Sequence, residues 1–325
     1  MIIAVTGSMG FIGKALTKHF LNLGYSVIGV DDLSTGIYEK IYNPNYTFRN
    51  HHISEYESER FLLKVFENVD ILINCAATVG VKNVMENPTY TIENNLGITK
   101  VMLLVAQQLN KHIILCSSSE VYGKNTNLLS ETDDVHYGPS TKLRWSYAAS
   151  KLIDEFLALD LYRKKQVPIT ILRFFNISGP SQLSCYGMAI PKLVEQALSG
   201  KPITVFGDGS QTRCFTHIDD VCKIIGKMID KKDEIVGEIY NIGNPQKITI
   251  KRLAEYIKDK TQSSSEIKYH TEGQFYDKDT FEDMQGRQPN IWKLQHLLRK
   301  GEDKSVNLFY KSWEDIVDEL ILSKS

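Results

Sequence analysis

Tyr147 and Lys151 stand four apart in "RWSYAASK", residues 144 to 151, and on a helix that spacing puts them one turn apart on one face. A phenol beside an ammonium can move a proton. The ordinary phenol pKa of ~10 is too high for a base at neutral pH, but a nearby positive charge favours the phenolate. A drop of ~3 units would correspond to about 4 kcal/mol of differential stabilisation. The spacing alone decides nothing, because "YIKDK" sets Tyr256 and Lys260 at the same interval.

A second stretch, "HIILCSSSEVYG", is a strand running into small polar residues, which places Ser118, Ser119 and Glu120 at its C-terminal end. Open α/β sheets bind ligands at that edge. A third, "AVTGSMGFIGKAL", sets Gly7, Gly10 and Gly13 between a strand and a helix. Glycines there allow a tight turn and let the backbone approach a pyrophosphate, whose charge the helix N-terminus favours. The next strand, "SVIGVDD", ends in Asp31, eighteen residues beyond Gly13. A carboxylate at that point accepts hydrogen bonds from an adenosine ribose and repels a 2′-phosphate, which favours NAD over NADP. The plainer reading, that Asp31 only opens the "DDLSTG" turn, stays open. Serine, tyrosine and lysine meeting over a nicotinamide make a proton-handling unit for alcohol oxidation. Tyr256 and Lys260 lie in a C-terminal helix away from this site and read as surface.

The elements that must position these groups follow from the hydrophobic pattern. "IIAVT", "SVIGV", "DILIN", "HIILCS" and "ITILRF" are short apolar runs separated by segments of helical period. Strands alternating with helices imply a parallel sheet covered on both faces. After Asn176 the pattern loosens: "MAIPKLVEQALSG" reads as a helix and "PITVFG" as a strand. "THIDDVCKIIGKMID" reads as a helix capped by Thr216 or His217, "IYNIG" as a strand and "TIKRLAEYIKDK" as a helix. The polar "TQSSSE" at 261 to 266 is most simply a surface loop. The fold class is α/β, a Rossmann-type doubly wound parallel sheet with a smaller C-terminal α/β substrate-binding lobe. Residues 1–175, joined by about 215–243, form the nucleotide-binding domain. About 176–214 and 244–325 form the lobe.

Length and composition bound the rest. At 325 residues the chain exceeds a usual single core, and 42% hydrophobic with 24% charged residues is ordinary for a globular protein. A net charge of −1 gives no general attraction to nucleic acid or anionic membrane. The first residues lack the leader of a signal peptide, and no apolar run approaches the ~18 residues of a membrane span. Cys75, Cys116, Cys185, Cys214 and Cys222 are scattered, without the spacing of a metal or redox pair. They read as free thiols in a reducing cytoplasm. The histidines form no ligand cluster, so no metal is expected; even His51 and His52 would point apart on a strand.

An ordered set of motifs, "TGSMGFIG", "NCAA", "SSSEVYG", "YAASK", "RFFNISGP", "FGDGSQTRCFTHIDD", "YNIGNP" and "GRQPNI", covers nearly the whole chain. It resembles the extended short-chain dehydrogenase/reductases of the NAD-dependent nucleotide-sugar epimerase/dehydratase family. The resemblance implies tightly held NAD, a nucleoside-diphosphate sugar (here a UDP-sugar) between the lobes, and a homodimer formed through helices beside the active site. It implies that Ser118, Tyr147 and Lys151 are catalytic. It assigns NAD to the loop residues Gly7, Gly10, Phe11, Ile12 and Gly13, with Asp31, Asp32, Ala76 and Asn94. Tyr147 and Lys151 also reach the cofactor. Asn94 is further implied to be a structural asparagine near the active site. Ser119, Arg144, Asn176, Arg213 and Arg287 are assigned to the substrate, with Asn176 and Arg287 on the diphosphate.

The subgroup turns on a few positions. Glu120 stands where simple 4-epimerases more often carry a small or hydroxyl residue. A carboxylate there suits dehydratases and decarboxylases. The 4,6-dehydratases typically have an aspartic acid just before it, whereas here Ser119 is a poor acid. "RWSY" is similar to UDP-apiose/xylose synthases and to UDP-glucuronate decarboxylases, and Arg213 in "TRCF" matches an arginine those decarboxylases place near the sugar carboxylate. The resemblance therefore implies oxidation at carbon 4 and decarboxylation of UDP-glucuronate to UDP-xylose or a UDP-4-keto-pentose. Glu120 and Arg213 would orient the carboxylate and help to reprotonate carbon 5. Plainer roles stay open: Glu120 paired with a neighbouring cation, and arginines bound to the diphosphate. So do a UDP-sugar 4-epimerase and, more remotely, a catalytically silent sugar-nucleotide-binding protein.

Overall fold

The computed structural model describes residues 1–36, 38–126, 128–270, 280–299 and 307–324. The chain opens with β1 (Ile2–Thr6), α1 (Phe11–Asn22), β2 (Ser26–Asp31), β3 (Tyr46–Asn50), α2 (Ser58–Val65) and β4 (Ile71–Asn74). Next come α3 (Val81–Glu86), α4 (Pro88–Leu109), β5 (His112–Ser118), β6 (Leu128–Leu129), α5 (Trp145–Lys165) and β7 (Ile169–Phe174). The chain continues through β8 (Ile177–Ser178), α6 (Ala189–Leu198), β9 (Ile203–Phe206), β10 (Thr212–Cys214), β11 (Thr216–His217) and α7 (Ile218–Asp230). It ends with β12 (Ile239–Ile242), β13 (Lys247–Thr249), α8 (Ile250–Lys260), β14 (Ile267–His270), β15 (Gln288–Pro289), α9 (Trp292–Leu298) and α10 (Trp313–Leu322).

Seven strands form one sheet in the order β12-β7-β5-β4-β1-β2-β3. Every pairing in it is parallel. The order reverses between β1 and β4, the switch point at which such sheets bind ligands beyond their carboxyl ends. Interior strands such as "ILIN" are apolar along most of their length because helices cover both faces. Successive residues of β1 serve opposite layers: Ile3 and Val5 join the core beneath α1 and α7, while Ala4 joins the core beneath α2, α4 and α5.

The C-terminal half has a core of its own, in which Leu193 of α6, Ile203 of β9, Leu253 of α8 and Val317 of α10 meet. Two-stranded pairings tie its segments together. The pairing of β15 with β6 matters most, because it draws the residues just before Gln288 back over the end of β5. The helix α7 is capped by His217, whose side chain accepts from the Asp219 amide, and Asp219 and Asp220 complement its dipole. The 261–266 stretch departs from a plain surface loop: Ser265 is buried, and the Ser263 hydroxyl donates to the Ala197 carbonyl at 2.7 Å.

Candidate active site

A cleft of about 940 Å³ opens at the carboxyl ends of the strands. The glycine loop forms its floor. Gly7 has φ +66°, and a Cβ there would come within 2.8 Å of the Ala76 amide nitrogen, so β4 and the loop can approach only around a bare α-carbon. A Cβ on Gly13 would collide with the Gly7 carbonyl, which closes the first turn of α1 against the loop. Asp31 reaches back into this loop: one carboxylate oxygen accepts from the Met9 amide and the other from the Leu33 amide, each at 2.8 Å. It thus organises the turn and also lines the cleft. Burial opposes the charge of Asp32, but hydrogen bonds from Ser34 and His52 outweigh it and hold the carboxyl below its ordinary value.

The residues assigned to the cofactor from sequence all line this cleft, apart from Lys151. Lys151 is 3% exposed behind Tyr147, with its ammonium 3.1 Å from Asp154. Ser118 ends β5, and its hydroxyl accepts from the Glu120 amide at 3.2 Å. Burial pushes the Tyr147 phenol above its ordinary pKa; Lys151 and a hydrogen bond with Ser118 pull it down, while Glu120 and Asp154 push it up. Lys151 acts in the expected direction, but among the protein's own groups burial outweighs it. The protein's own groups thus leave the phenol above its ordinary value, and the positive ring of a bound cofactor would favour the phenolate.

Beyond Tyr147 lies a cluster of arginines and carboxylates. Arg287 donates to Glu120 at 2.6 Å and to Ser119 at 3.0 Å, and Arg144 approaches Glu120 at 3.5 Å. Burial would raise Glu120, but Arg287 and Arg144 hold it down to about 2. The plainer reading of Glu120, a carboxylate paired with a cation, is therefore realised, and a carboxylate of that pKa is a weak base. Arg213 is placed differently from expectation. It does not line the cleft: its guanidinium is occupied by Asp283 at 2.8 Å and by the carbonyls of Thr212 and Met284. Arg144 and Arg287 are the arginines on the cleft wall. Asn176 also lines it, and its amide donates to the Cys214 carbonyl at 2.9 Å. Asn94 donates to Thr78 at 2.9 Å and keeps a buried carbonyl oxygen without a partner.

The sequence pattern of the NAD dependent epimerase/dehydratase family matches residues 3–243. The chain belongs to this family. It is 36% identical to the UDP-N-acetyl-alpha-D-glucosaminuronate decarboxylase of Bacillus cytotoxicus, over 91% of each chain. It is 29% identical to UDP-glucuronic acid decarboxylase 1 of Xenopus tropicalis, over 96% of this chain and 73% of that one. Among solved structures, UDP-glucuronic acid 4-epimerase from Bacillus cereus, in complex with UDP-glucuronic acid and NAD, superposes with a TM-score of 0.83 and 26% identity. That likeness spans 99% of this chain and 98% of the other.

NAD fits the cleft of this family member. A cradle that a single Cβ would fill, an aspartate at the end of β2 and the unpartnered Asn94 oxygen are suited to a dinucleotide. The structure also explains "RWSY". Arg144 bonds Asp283 at 3.2 Å and lies over the Phe281 ring, and the Trp145 indole donates to Glu282 at 3.3 Å. The dipeptide is thus a dock for the segment from Phe281 to Arg287. Several site residues escaped sequence reasoning. Asp154, Asp283, Thr78 and Tyr186, whose hydroxyl donates to the Thr35 carbonyl at 2.5 Å, carry no motif and gain meaning only from tertiary contact. The KxxD spacing from Lys151 was the one signal present for Asp154. Cys75 and Cys116, 41 residues apart in sequence, also meet at 3.4 Å at the ends of β4 and β5.

Proposed function

We propose that the protein oxidises carbon 4 of a UDP-uronate and decarboxylates it, the substrate being UDP-glucuronate or its 2-acetamido counterpart. One observation carries the reading. Among the described residues, Arg144 and Arg287 line the cleft with Tyr147 and both face one carboxylate, Glu120. A site with one positive charge in excess is built for an anionic sugar. The relatives named as UDP-uronate decarboxylases support the same assignment.

The chemistry follows from the residues. NAD, when bound, supplies the hydride acceptor. Tyr147 takes the proton of the 4-hydroxyl, with Lys151 stabilising the phenolate and Ser118 donating to the oxygen that becomes a ketone. The ketone is β to the carboxylate, so the bond to the carboxyl carbon breaks as carbon dioxide leaves and its electron pair enters an enolate. Arg144 and Arg287 grip the carboxylate by charge-assisted hydrogen bonds. A proton at carbon 5 completes the pentose, and return of the hydride gives the alcohol. Asn176 serves the diphosphate, and Arg287, which the resemblance had put there, is proposed for the carboxylate instead because it bonds Glu120 at the end of β5.

Three further assignments complete the proposal. The N-terminal sheet with α7 and β12 is the cofactor domain and the remainder the sugar lobe. The active unit is a homodimer, since Ile153 and Phe156 of α5 are 42% and 63% exposed. The compartment is the cytoplasm, in keeping with five free cysteines. No helix among the described residues is long and apolar enough to cross a membrane.

The test is a substrate panel: UDP-glucuronate, UDP-N-acetylglucosaminuronate, UDP-glucose and UDP-N-acetylglucosamine, with products identified by mass and NMR. The reading expects loss of carbon dioxide from one or both uronates and no change in the neutral sugars. A second reading, 4-epimerisation, is favoured by the likeness to the Bacillus cereus enzyme and would give isomers of unchanged mass.

A further inference from the structure

Tyr147, Lys151 and Asp154 occupy positions i, i+4 and i+7 of α5, a single stripe along the helix. Asp154 is 1% exposed and Lys151 3%, and 3.1 Å separates the carboxylate from the ammonium. A buried ion pair is weak evidence of stabilisation in itself, because desolvation cancels much of the attraction. This pair is attached to the proton-transfer couple and aligned with it.

We propose that Asp154 is a positioning residue for the couple: it holds the Lys151 ammonium along the helix and adds a negative charge to the face that carries Tyr147. The proposal rests on the alcohol-oxidation step of the function above and on nothing that follows it. The groups facing Tyr147 are Lys151 and Asp154 from α5, with Ser118 and Glu120 from the end of β5. Those facing Lys151 are Asp154, Tyr147 and Cys116, with Cys75 of the neighbouring strand end also near. Asp154 is faced by Lys151, by Thr99 of α4 and by Glu155. Among these, Asp154 is the carboxylate that bonds Lys151 directly. Its removal takes away a negative charge borne seven residues, an axial rise of about 10 Å, from the position of Tyr147. At the effective dielectric of a protein site, that charge is worth about one pH unit in the ionisation of Tyr147.

The experiment uses the full-length protein with NAD and compares wild type with Asp154→Asn, Asp154→Ala and Asp154→Glu. Tyr147 ionisation is read by ultraviolet phenolate absorption, as the difference from Tyr147→Phe in each background, so it requires no turnover. The acid limb of kcat/KM is read separately. The Asn and Ala variants should lower the phenol midpoint by about one unit and move the acid limb with it. Well below the wild-type limb, their activity relative to plateau then rises about tenfold. The Glu variant keeps the charge and should leave both near wild type. An unmoved or raised midpoint in Asn and Ala, with kcat lowered uniformly across pH, would overturn the proposal and leave Asp154 a packing residue. A protein that turned over no UDP-sugar would defeat the functional reading while the phenol titration still decided this one.

Discussion

Arg287 and Glu120 are 167 positions apart in the chain and meet at 2.6 Å. The pairing of β15 with β6 makes the contact, delivering Arg287 to the end of β5 two residues past Ser118. The C-terminal half therefore places a guanidinium, that of Arg287, at the carboxyl edge of the sheet. Its guanidinium is 2% exposed and bonded to both Ser119 and Glu120.

Replacing Arg287 should damage turnover of a uronate far more than it damages the fold. Arg287→Ala removes charge-assisted hydrogen bonds worth ~1.5–3 kcal/mol each, so kcat/KM for UDP-glucuronate should fall about ten- to a hundredfold. Arg287→Lys should recover little, because a lysine keeps the charge without the two-pronged geometry. Steady-state kinetics on both variants, with UDP affinity as the control, checks this.

Glu120 links the same contact to acid stability. Its folded pKa of about 2 lies below the ordinary carboxylate value of 4.5. A depressed pKa means that the stabilisation is complete above the ordinary value and is lost as pH falls through the folded one. The loss should run from about pH 4.5 to about 2. Glu120→Gln should have a flatter stability–pH curve across that window, measured by urea unfolding at a series of pH values. Parallel curves would show that the ion pair contributes nothing there.

Tyr147→Phe removes only the proton acceptor and should lower turnover by about 10²–10⁴-fold with NAD content unchanged. Tyr256→Phe is the matched control. The Tyr256 hydroxyl donates to Asp318 at 3.1 Å, and its ring packs edge-on against Trp313, so it is a structural residue of the lobe. Its loss should cost about 1 kcal/mol of stability and no activity. Equal activity losses in the two variants would mean that the couple on α5 is not the base.

Asp31 predicts the cofactor. Its carboxylate is fixed by the Met9 and Leu33 amides at the end of β2 and is buried to 8% exposure beside the cleft. A 2′-phosphate brought against it would meet a desolvated negative charge. Cofactor released from the purified protein by denaturation should therefore be NAD, as read by mass. Recovery of mainly NADP would reduce Asp31 to a turn residue.

The parallel sheet was legible in sequence because buried strands carry continuous apolar runs and the glycine loop has a fixed place between β1 and α1. The placement of Ser118 and Tyr147 at the cleft was legible for a related reason: local motifs at strand ends and helix starts position them. What stayed hidden depends on long-range pairing. Nothing in "TRCF" says that Asp283 will take up Arg213, and nothing in "RWSY" says that the dipeptide will receive residues 281–287. The spacing shows the lysine that favours the Tyr147 phenolate but not the burial that opposes it. Cys75 and Cys116 looked scattered because parallel neighbours are joined through a long crossover, and the register of β4 on β5 brings them together.

Decarboxylation requires that a carboxylate leave a sugar oxidised at carbon 4. Its most direct measurement supplies the enzyme with UDP-glucuronate labelled with carbon-13 at the carboxyl group, in heavy water. Labelled carbon dioxide and a UDP-pentose carrying deuterium at carbon 5 are expected. A labelled carboxylate retained in an isomeric UDP-uronate, with no gas released, would contradict decarboxylation and leave only the oxidation at carbon 4 standing.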